Sequence, residues 1–361
     1  MTTNTKEILF VGSYASENDP GIHAFKYNST NGELTPYGSY SGIAKPSFLV
    51  IHPNGEWLYA VSETGQDSDG VLGSVHSFRI QNDDLNLKLE LINQQSTDGD
   101  WPCHLQFDRS GRWLIASNYG TGNAALFPIL SDGALGELKS FVQHEGKGPN
   151  LDRQEGPHAH SAIFTPDNRF VIVADLGIDQ LVIYKFDDET GSLSRHTEIQ
   201  TQPGAGPRHF AFHPNDRHLL VANELDSSVT VYEYDAENGT PHLLQTLPTL
   251  PTDSPKSIVA DIHFSPTGQY VYVSNRGHDS LAIFEFNEET GMLSALQHQK
   301  THGKTPRNFA IDPNGTFLQT ANQDSNNIAT FRINESTGKL TFVGQITDIP
   351  KPVCLKLVTL K

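Results

Sequence analysis

Arg208, His209 and Glu224 lie within one stretch, residues 204–231, which reads GAGPRHFAFHPNDRHLLVANELDSSVTV. The pattern predicts two short strands joined by a turn at HPND. In an antiparallel hairpin the start of the first strand and the end of the second are neighbours, so we expect Arg208 and Glu224 to lie close together. A guanidinium that stabilises negative charge, beside a carboxylate and an imidazole that move protons, is suited to acid–base chemistry on an anionic substrate. A salt bridge that only ties the strands together is the structural alternative.

The same kind of strand recurs throughout the chain, which indicates an internal repeat. A segment of the form apolar-x-x-aromatic occurs seven times, at intervals of 47 to 57 residues. The aromatic residues that end these segments are Phe25, Phe78, Phe127, Tyr184, Tyr232, Phe284 and Phe331. Within residues 207–247, four strands are predicted over HFAFH, HLLVAN, VTVYEY and HLLQTL, separated by turn-forming residues.

Four antiparallel strands in each unit of this length are typical of a propeller blade. We therefore predict an all-β, seven-bladed β-propeller that occupies residues 1–361 as a single domain. The first unit begins at Ile8 and lacks an innermost strand, while residues 352–358 form an additional strand after the last unit. We expect this C-terminal strand to complete blade one and close the ring, leaving no open edge.

Superimposing the repeats places titratable side chains on one face of the ring. The starts of the innermost strands contribute His104, His158, His160, Arg208, His209, His263 and Arg307. The ends of the second strands contribute Glu63, Asn118, Asp175, Glu224, Arg276 and Gln323. Ordinary pairing between blades does not require all of these on one side, although His263 could be a buried core histidine. The insertion at 64–73 interrupts blade two, and we expect the loop at 144–158 to overhang the same mouth.

Composition and motifs exclude several classes of function. The net charge is −17, which argues against nucleic acid or an anionic membrane as partner, whereas arginines that converge in a cleft still allow a small anionic substrate. The two cysteines form no CxxC pair, and neither a signal peptide nor a long apolar segment is evident. We expect a cytoplasmic protein, a monomer or weak homodimer, with no cofactor and no metal, since the HExxH, P-loop, dinucleotide and GxSxG patterns are absent.

At several motifs the sequence resembles the seven-bladed propeller lactonase family, which includes bacterial 6-phosphogluconolactonases of the propeller type and fungal carboxymuconate lactonizing enzymes. The motifs are PHAHS at 157–161, GAGPRHFAFHPN at 204–215, NELDSSVTV at 223–231, ADIHFSPTG at 260–268 and SNRG at 274–277. The resemblance implies that the catalytic residues are His160, Arg208, Glu224 and Arg276. We expect substrate contacts from Arg153, Gln154 and His263, which match family motifs, and from His104, Asn118, His209 and Arg307, which converge at the mouth.

Three functional hypotheses follow. The first is hydrolysis of 6-phospho-D-glucono-1,5-lactone to 6-phosphogluconate, a step of the pentose phosphate pathway, with His160 or Glu224 as general base and with Arg208 and Arg276 on the phosphate or the oxyanion. The second is a carboxymuconate lactonizing reaction, or hydrolysis of another sugar lactone, at the same site. The third is a propeller platform for protein partners, which would not need these ionisable groups to converge. The loop sequence GPNLDRQEGPH at 148–158 resembles the bacterial branch and favours the first hypothesis.

Overall fold

The computed structural model describes residues 6–83 and 85–360, which form seven four-stranded antiparallel sheets. The strands of the first half are β1 (Lys6–Ser13), β2 (Ile22–Tyr27), β3 (Leu34–Tyr40), β4 (Leu49–Ile51), β5 (Trp57–Ser62), β6 (Ser74–Asn82), β7 (Leu87–Ser96), β8 (Pro102–Phe107), β9 (Trp113–Asn118), β10 (Asn123–Pro128), β11 (Ser140–Gln143), β12 (Ala159–Phe164), β13 (Phe170–Asp175), β14 (Gln180–Asp187) and β15 (Ser192–Gln200). Those of the second half are β16 (Pro207–Phe212), β17 (His218–Asn223), β18 (Ser228–Asp235), β19 (Thr240–Pro248), β20 (Ile258–Phe264), β21 (Tyr270–Arg276), β22 (Ser280–Asn287), β23 (Met292–Lys300), β24 (Pro306–Ile311), β25 (Phe317–Asn322), β26 (Asn327–Ile333), β27 (Leu340–Thr347) and β28 (Pro352–Leu360).

The sheets are the blades of a closed ring. Blade one is β28-β1-β2-β3, and blades two to seven take the following strands four at a time, from β4–β7 to β24–β27. The innermost strands contact one another in a cycle that runs β28, β4, β8, β12, β16, β20, β24 and back to β28. The predicted seven-bladed, all-β propeller is confirmed, and the four strands expected within 207–247 are β16–β19.

The ring closes through its C-terminal strand, as the sequence predicted. Strand β28 pairs antiparallel with β1, from Lys6 opposite Leu360 to Gly12 opposite Cys354. Blade one therefore takes its innermost strand from the opposite end of the chain. Closure of this kind leaves each inner strand paired on one side and packed against its neighbours in the ring.

Burial follows the position of a strand within its blade. The second strands β5, β9, β13 and β17 are buried along their whole length, whereas the outermost strand β15 has no buried residue. A strand covered on both faces carries continuous apolar residues. The aromatic residues of the repeat, among them Phe78, Phe127 and Phe331, are fully buried between blades.

The two irregular stretches lie where the sequence placed them. The insertion at 64–73 falls between β5 and β6 and contains a single helical turn, α1 (Gln66–Asp69), which ends at Gly70 with φ of 74°. The loop at 144–158 joins β11 to β12. Within residues 6–83 and 85–360, no helix has the length and apolar character needed to cross a membrane.

Candidate active site

A register shift marks the start of the innermost strand in most blades. It falls between Pro102 and His104, Ala159 and Ser161, Pro207 and His209, Val259 and Ile262, and Pro306 and Asn308. A β-bulge inserts one residue without a partner opposite it and re-aims its side chain. The residues within these shifts include His160, Arg208 and Arg307, and Arg208 lines the same small cavity as its successor His209. Consecutive side chains therefore face the channel here instead of alternating.

Carboxylates of the preceding blade hold the chain where these bulged strands begin. Both carboxylate oxygens of Asp179 accept backbone N–H groups, from Gly204 at 2.6 Å and Gly206 at 2.8 Å. Gly206 has a φ of 65°, a conformation that favours glycine. Two blades further on, Asp279 Oδ1 accepts the N–H of Thr305 at 2.8 Å. The same device thus sets the starting points of the strands that carry Arg208 and Arg307.

Glu224 is the centre of the largest group of charges at the mouth. Its Oε2 accepts Arg208 Nε at 2.9 Å and Arg276 Nη2 at 2.6 Å, and its Oε1 accepts Arg153 Nη2 at 2.6 Å. His160 Nε2 lies 3.9 Å from Oε2. Burial alone would raise the pKa of this carboxyl, but the three guanidinium groups hold the pKa well below its ordinary value. The structure brings together all four residues that the sequence nominated as catalytic.

The arginines in this group are themselves buried and anchored. Arg208 is 2 % exposed, and its Nη1 also donates to the Ala260 carbonyl. Arg276 Nη2 donates to the Val259 carbonyl at 2.8 Å. Burial, followed by repulsion from Arg276 and Arg307, lowers the pKa of Arg208 to about 10. One carboxylate among several guanidinium groups leaves this side of the mouth positive, although the protein as a whole is acidic.

His160 is a buried imidazole beside the ion-pair group. Burial, and then the nearby Arg208, lowers its pKa well below 6.5, so the ring is neutral at physiological pH. The Cys103 thiol donates to the His160 carbonyl at 3.2 Å and lies 3.7 Å from its Nδ1. A neutral imidazole with an available nitrogen is an acceptor for a proton.

A second imidazole is oriented by a carboxylate that the sequence had not singled out. His209 Nδ1 lies 2.8 Å from Asp261 Oδ1, while Asp261 Oδ2 contacts His263 Nε2 at 2.9 Å and accepts Asn308 Nδ2 at 2.5 Å. Burial would raise the pKa of Asp261, but these imidazoles and their hydrogen bonds hold it well below its ordinary value. An ionised carboxylate only accepts hydrogen bonds, so His209 carries its proton on Nδ1 and Nε2 is an acceptor.

Two histidines near His209, namely His104 and His263, were also predicted to contact substrate. Their side chains have different surroundings. Within the part of the chain that the structure describes, buried atoms without a hydrogen-bond partner include His209 Nε2 and His104 Nδ1. His104 packs its ring on Phe48, with the centroids 4.6 Å apart. The side chain of His263 is 39 % exposed and is committed to Asp261. The ring of His209 lies between those of His104 and His160, with centroids 5.5 Å and 5.3 Å away.

A second glutamate of the mouth, Glu63, is half-buried in blade two. Glu63 accepts the Tyr14 hydroxyl through Oε1 at 2.9 Å and Oε2 at 3.0 Å, and it also accepts the Ser47 hydroxyl. Burial raises the pKa of Glu63, and the charge of Arg307 opposes this without reversing it. The guanidinium of Arg307 lies over the Tyr14 ring, with its Cζ 5.3 Å from the ring centroid. The two glutamates of the mouth thus have opposite pKa shifts, because the hydrogen-bond partners of Glu224 are cationic and those of Glu63 are neutral.

The loop at 144–158 supplies one charged group to the site. Asp175 anchors both ends of this loop, through His144 Nδ1 at 2.6 Å and the N–H of His158 at 2.7 Å. Arg153 reaches from the loop to Glu224 and to the Tyr119 hydroxyl at 3.1 Å. The adjacent Gln154, also predicted to contact substrate, instead donates to the Leu176 carbonyl at 2.8 Å and accepts the N–H of Asn150 at 3.0 Å. Its amide holds the loop in shape.

The expected position of Asn118 is wrong by one residue. Asn118 is the last residue of β9, pairs opposite Pro102, and corresponds to Asn223, not to Glu224. Its amide is buried and donates to the Thr97 carbonyl at 3.2 Å. Because side chains alternate along a strand, a shift of one residue moves a side chain to the other face.

The equivalents of Glu224 directly follow the ends of their strands, except for Arg276, which is the last residue of β21. They are Tyr14, Glu63, Tyr119, Leu176, Arg276 and Gln323. The sequence analysis therefore did not identify Tyr14, Tyr119 or Asp261, the carboxylate that contacts His209, His263 and Asn308. The signal was available for the tyrosines, since counting one residue past each strand end finds them. Asp261 lies in the ADIHFSPTG motif, but nothing local indicates that it contacts residues of blades five and seven.

A small cavity lies beneath the ion-pair group. Its lining residues are Ser47, Phe48, Glu63, Cys103, Arg208, His209, Arg307, Asn308 and Val353. Larger depressions occur on the outer parts of the blades, for example between blades one and seven along residues 31–34 and 343–346. Within the described residues, no group of three or more His, Cys, Asp or Glu side chains is arranged to hold a metal ion.

The fold and the site define a class of protein: a propeller whose channel mouth is lined by buried arginines, imidazoles and a carboxylate. Comparisons with known proteins identify the family within this class. The profile of the family described as "Lactonase, 7-bladed beta-propeller" matches residues 8–357. The 6-phosphogluconolactonase of Bacillus subtilis (strain 168) is 36% identical over 353 residues, covering 98% of each chain. The protein of that name from Formosa agariphila is 37% identical over 310 residues, covering 84% of this chain and 86% of its own.

A solved structure agrees with these sequence matches. The periplasmic gluconolactonase of Pseudomonas aeruginosa superimposes with a TM-score of 0.91 at 27% identity, covering 99% of this chain and 100% of its own. The family match extends over nearly the whole propeller, from the first described strand to within β28. The chain belongs to the seven-bladed β-propeller lactonase family.

Proposed function

We propose that this protein hydrolyses 6-phospho-D-glucono-1,5-lactone to 6-phosphogluconate at the mouth formed by blades four to seven. The observation that carries the proposal is the Glu224 group, in which three arginines and a neutral imidazole surround one buried carboxylate. Two relatives that match over most of the chain bear the name of this activity. The excess of positive charge at the mouth suits a substrate that is anionic and becomes more so as its carbonyl is attacked.

His160 is the general base in this proposal. Glu224 is poorly suited to that role, because both of its oxygens accept bonds from arginines and its pKa is held low. The neutral imidazole of His160 removes a proton from water, and the water oxygen bonds to the lactone carbonyl carbon. The ring C–O bond then breaks, and the proton returns from His160 to the departing ring oxygen. The products are a hydroxyl and a carboxylic acid, which ionises in water.

Arg208 and Arg276 stabilise the oxyanion of the tetrahedral intermediate. Both are fixed by Glu224 and by backbone carbonyls, so little reorganisation is needed as charge develops. Guanidinium groups offer several donors in a rigid plane, which lysine does not reproduce. Glu224 acts by holding these two arginines in place.

The unphosphorylated sugar lactone is a second candidate substrate, because the Pseudomonas aeruginosa neighbour is named a gluconolactonase. Closure of a carboxylated muconate to a lactone remains a hypothesis for the same site. A non-enzymatic protein platform is disfavoured, since Arg208, His160 and Glu224 are each almost completely buried and present little surface to a protein partner.

The assay that tests the function follows hydrolysis of 6-phospho-D-glucono-1,5-lactone, coupled to oxidation of the product by 6-phosphogluconate dehydrogenase. Glucono-1,5-lactone and carboxymuconate are tested beside it. The proposal expects the phosphorylated lactone to have the highest kcat/KM. Hydrolysis no faster than the spontaneous rate would refute it.

We also propose that the enzyme acts in the cytoplasm, in the pentose phosphate pathway, as a monomer or weak homodimer. The phosphorylated substrate in the names of the two relatives supports this, because a sugar phosphate does not cross a bilayer unaided. The periplasmic neighbour makes cell fractionation the decisive measurement of location. Light scattering at several protein concentrations measures the oligomeric state.

A further inference from the structure

Among the described residues, Arg307 differs from the other arginines of the mouth in making no hydrogen bond or ion pair with a carboxylate. Arg153, Arg208 and Arg276 each donate to Glu224. Among residues 6–83 and 85–360, Arg307 makes no hydrogen bond and no ion pair, and its contact is with the face of the Tyr14 ring. All of its donors are therefore available, whereas each of the other three arginines commits at least one nitrogen to Glu224.

The described surroundings of Arg307 hold it in place through a ring contact and not through a direct ion pair. The ring on which it lies belongs to Tyr14, whose hydroxyl is fixed by both oxygens of Glu63. Ser47 donates to the same carboxyl group, so the Glu63 oxygens are occupied by neutral donors. Burial raises the pKa of Glu63, and the charge of Arg307 opposes this shift. A guanidinium stacked on an aromatic face keeps its in-plane N–H groups free for a ligand.

Arg307 lies across the ring from His160, the proposed general base. It begins the innermost strand of blade seven, whereas His160 begins that of blade four, three blades away in a ring of seven. Arg208, in blade five, lines the small cavity together with Arg307 and also belongs to the Glu224 group. A ligand that spans the mouth can therefore place one end at His160 and the other at Arg307.

We propose that Arg307 is the specificity-determining residue that binds the phosphate monoester of the substrate, with its lactone ring directed toward His160 and Arg208. This inference rests on the proposed function and assigns the phosphate to Arg307, leaving Arg208 and Arg276 to the oxyanion. The planar guanidinium pairs with two phosphate oxygens at once, a geometry that favours arginine over lysine. The Tyr14, Glu63 and Ser47 group acts as a positioning set for this cation.

The test compares two substrates in one variant. In Arg307→Gln, KM for 6-phospho-D-glucono-1,5-lactone should rise about 10- to 100-fold, the range expected for losing hydrogen bonds to a charged group, with kcat nearly retained. For glucono-1,5-lactone, which has no phosphate, kcat/KM should stay within about twofold of the wild-type value. Arg307→Lys should fall between the two, because it keeps the charge but not the paired donors.

The matched control is Arg332→Gln. Arg332 also lies over an aromatic ring, with its Cζ 4.4 Å from the Phe317 centroid, but it is an exposed residue of β26, two strands outward from the innermost strand β24. This substitution should leave kcat and KM unchanged for both substrates. Equal loss on both substrates in Arg307→Gln, at unchanged Tm, would overturn the assignment, as would an unchanged KM.

A second test measures inhibition by inorganic phosphate, and it does not depend on whether Arg307→Gln folds. Inorganic phosphate should inhibit hydrolysis of glucono-1,5-lactone competitively in the wild type and much less in Arg307→Lys. Absence of inhibition in the wild type, or equal inhibition in both, contradicts the proposed subsite. If the wild type hydrolyses neither lactone, it is the proposed function that fails, which separates the two conclusions.

Discussion

Arg208 Nε donates to Glu224 Oε2 over 2.9 Å, and both side chains are about 2 % exposed. The two residues occupy the start of β16 and the position directly after β17, at the same end of one hairpin. A buried ion pair is not strong support for stability in itself, because desolvation offsets much of the attraction. Removing one partner is costly, however, because it leaves the other charge uncompensated. This pair therefore contributes both to the stability of the fold and to the proposed chemistry of the mouth.

Glu224→Gln should reduce both activity and stability. The variant leaves three guanidinium groups without their shared anion, so we expect a loss of about 3–5 kcal/mol in the free energy of unfolding and a large fall in kcat. Urea unfolding and the coupled lactonase assay measure the two effects. A kcat loss with unchanged stability would show that the arginines find other compensation.

The acid limb of the stability profile should also change in Glu224→Gln. The folded-state pKa of Glu224 is depressed, so its contribution to stability is present above the unfolded pKa of about 4.5 and is lost as pH falls below that value. Wild-type stability should drop more steeply than that of the variant as pH decreases from 5. Parallel profiles of the two proteins would contradict the assigned direction.

His160→Asn should lower kcat by about 10²- to 10⁴-fold, the usual contribution of a general base, with little change in KM. The control is His76→Asn, which removes another buried histidine whose pKa is lowered to about 4 by burial, from β6 and away from the mouth. The control should lose stability but keep its kcat. Retention of more than about half of the wild-type kcat in His160→Asn would remove His160 from the proton-transfer step.

Asn118→Ala and Tyr119→Phe test the corrected register at the end of β9. The first variant leaves the buried Thr97 carbonyl without its donor, so it should lose about 1–3 kcal/mol of stability while kcat/KM is nearly unchanged. The second removes the hydroxyl that accepts Arg153 and should raise KM severalfold with little change in Tm. A fall in kcat/KM in Asn118→Ala, with KM unchanged in Tyr119→Phe, would instead place the side chain of Asn118 at the mouth.

Glu63→Gln should be more stable than the wild type at alkaline pH. The folded-state pKa of Glu63 is raised by burial, so the folded protein binds this proton more tightly than the unfolded chain does. Its contribution is present below the unfolded pKa and is lost as pH rises through the folded pKa. The variant cannot ionise and should not show this loss. Chemical unfolding measured between pH 5 and 9 checks it, with Glu335→Gln in an exposed turn as control.

The repeat, the ring closure and the side of the ring on which the charges gather could all be predicted from the order of residues along the chain. These follow from local rules: strand and turn signals define each hairpin, and an antiparallel hairpin places Arg208 beside Glu224 whatever surrounds it. The missing inner strand of the first unit and the additional strand after the last one likewise identified β28 as its partner.

The tertiary structure alone decided which side chains face the channel and how each is paired. A bulge at the start of the inner strands re-aims consecutive residues, and a one-residue shift exchanges Asn118 for Tyr119, so counting along the repeat is not sufficient. The contact of Asp261 with His209 and Asn308 joins three blades, and no periodicity in the chain specifies it. For the same reason only the folded ring could distinguish Arg307, which makes no ion pair in the part of the chain that the structure describes, from the three arginines that share Glu224.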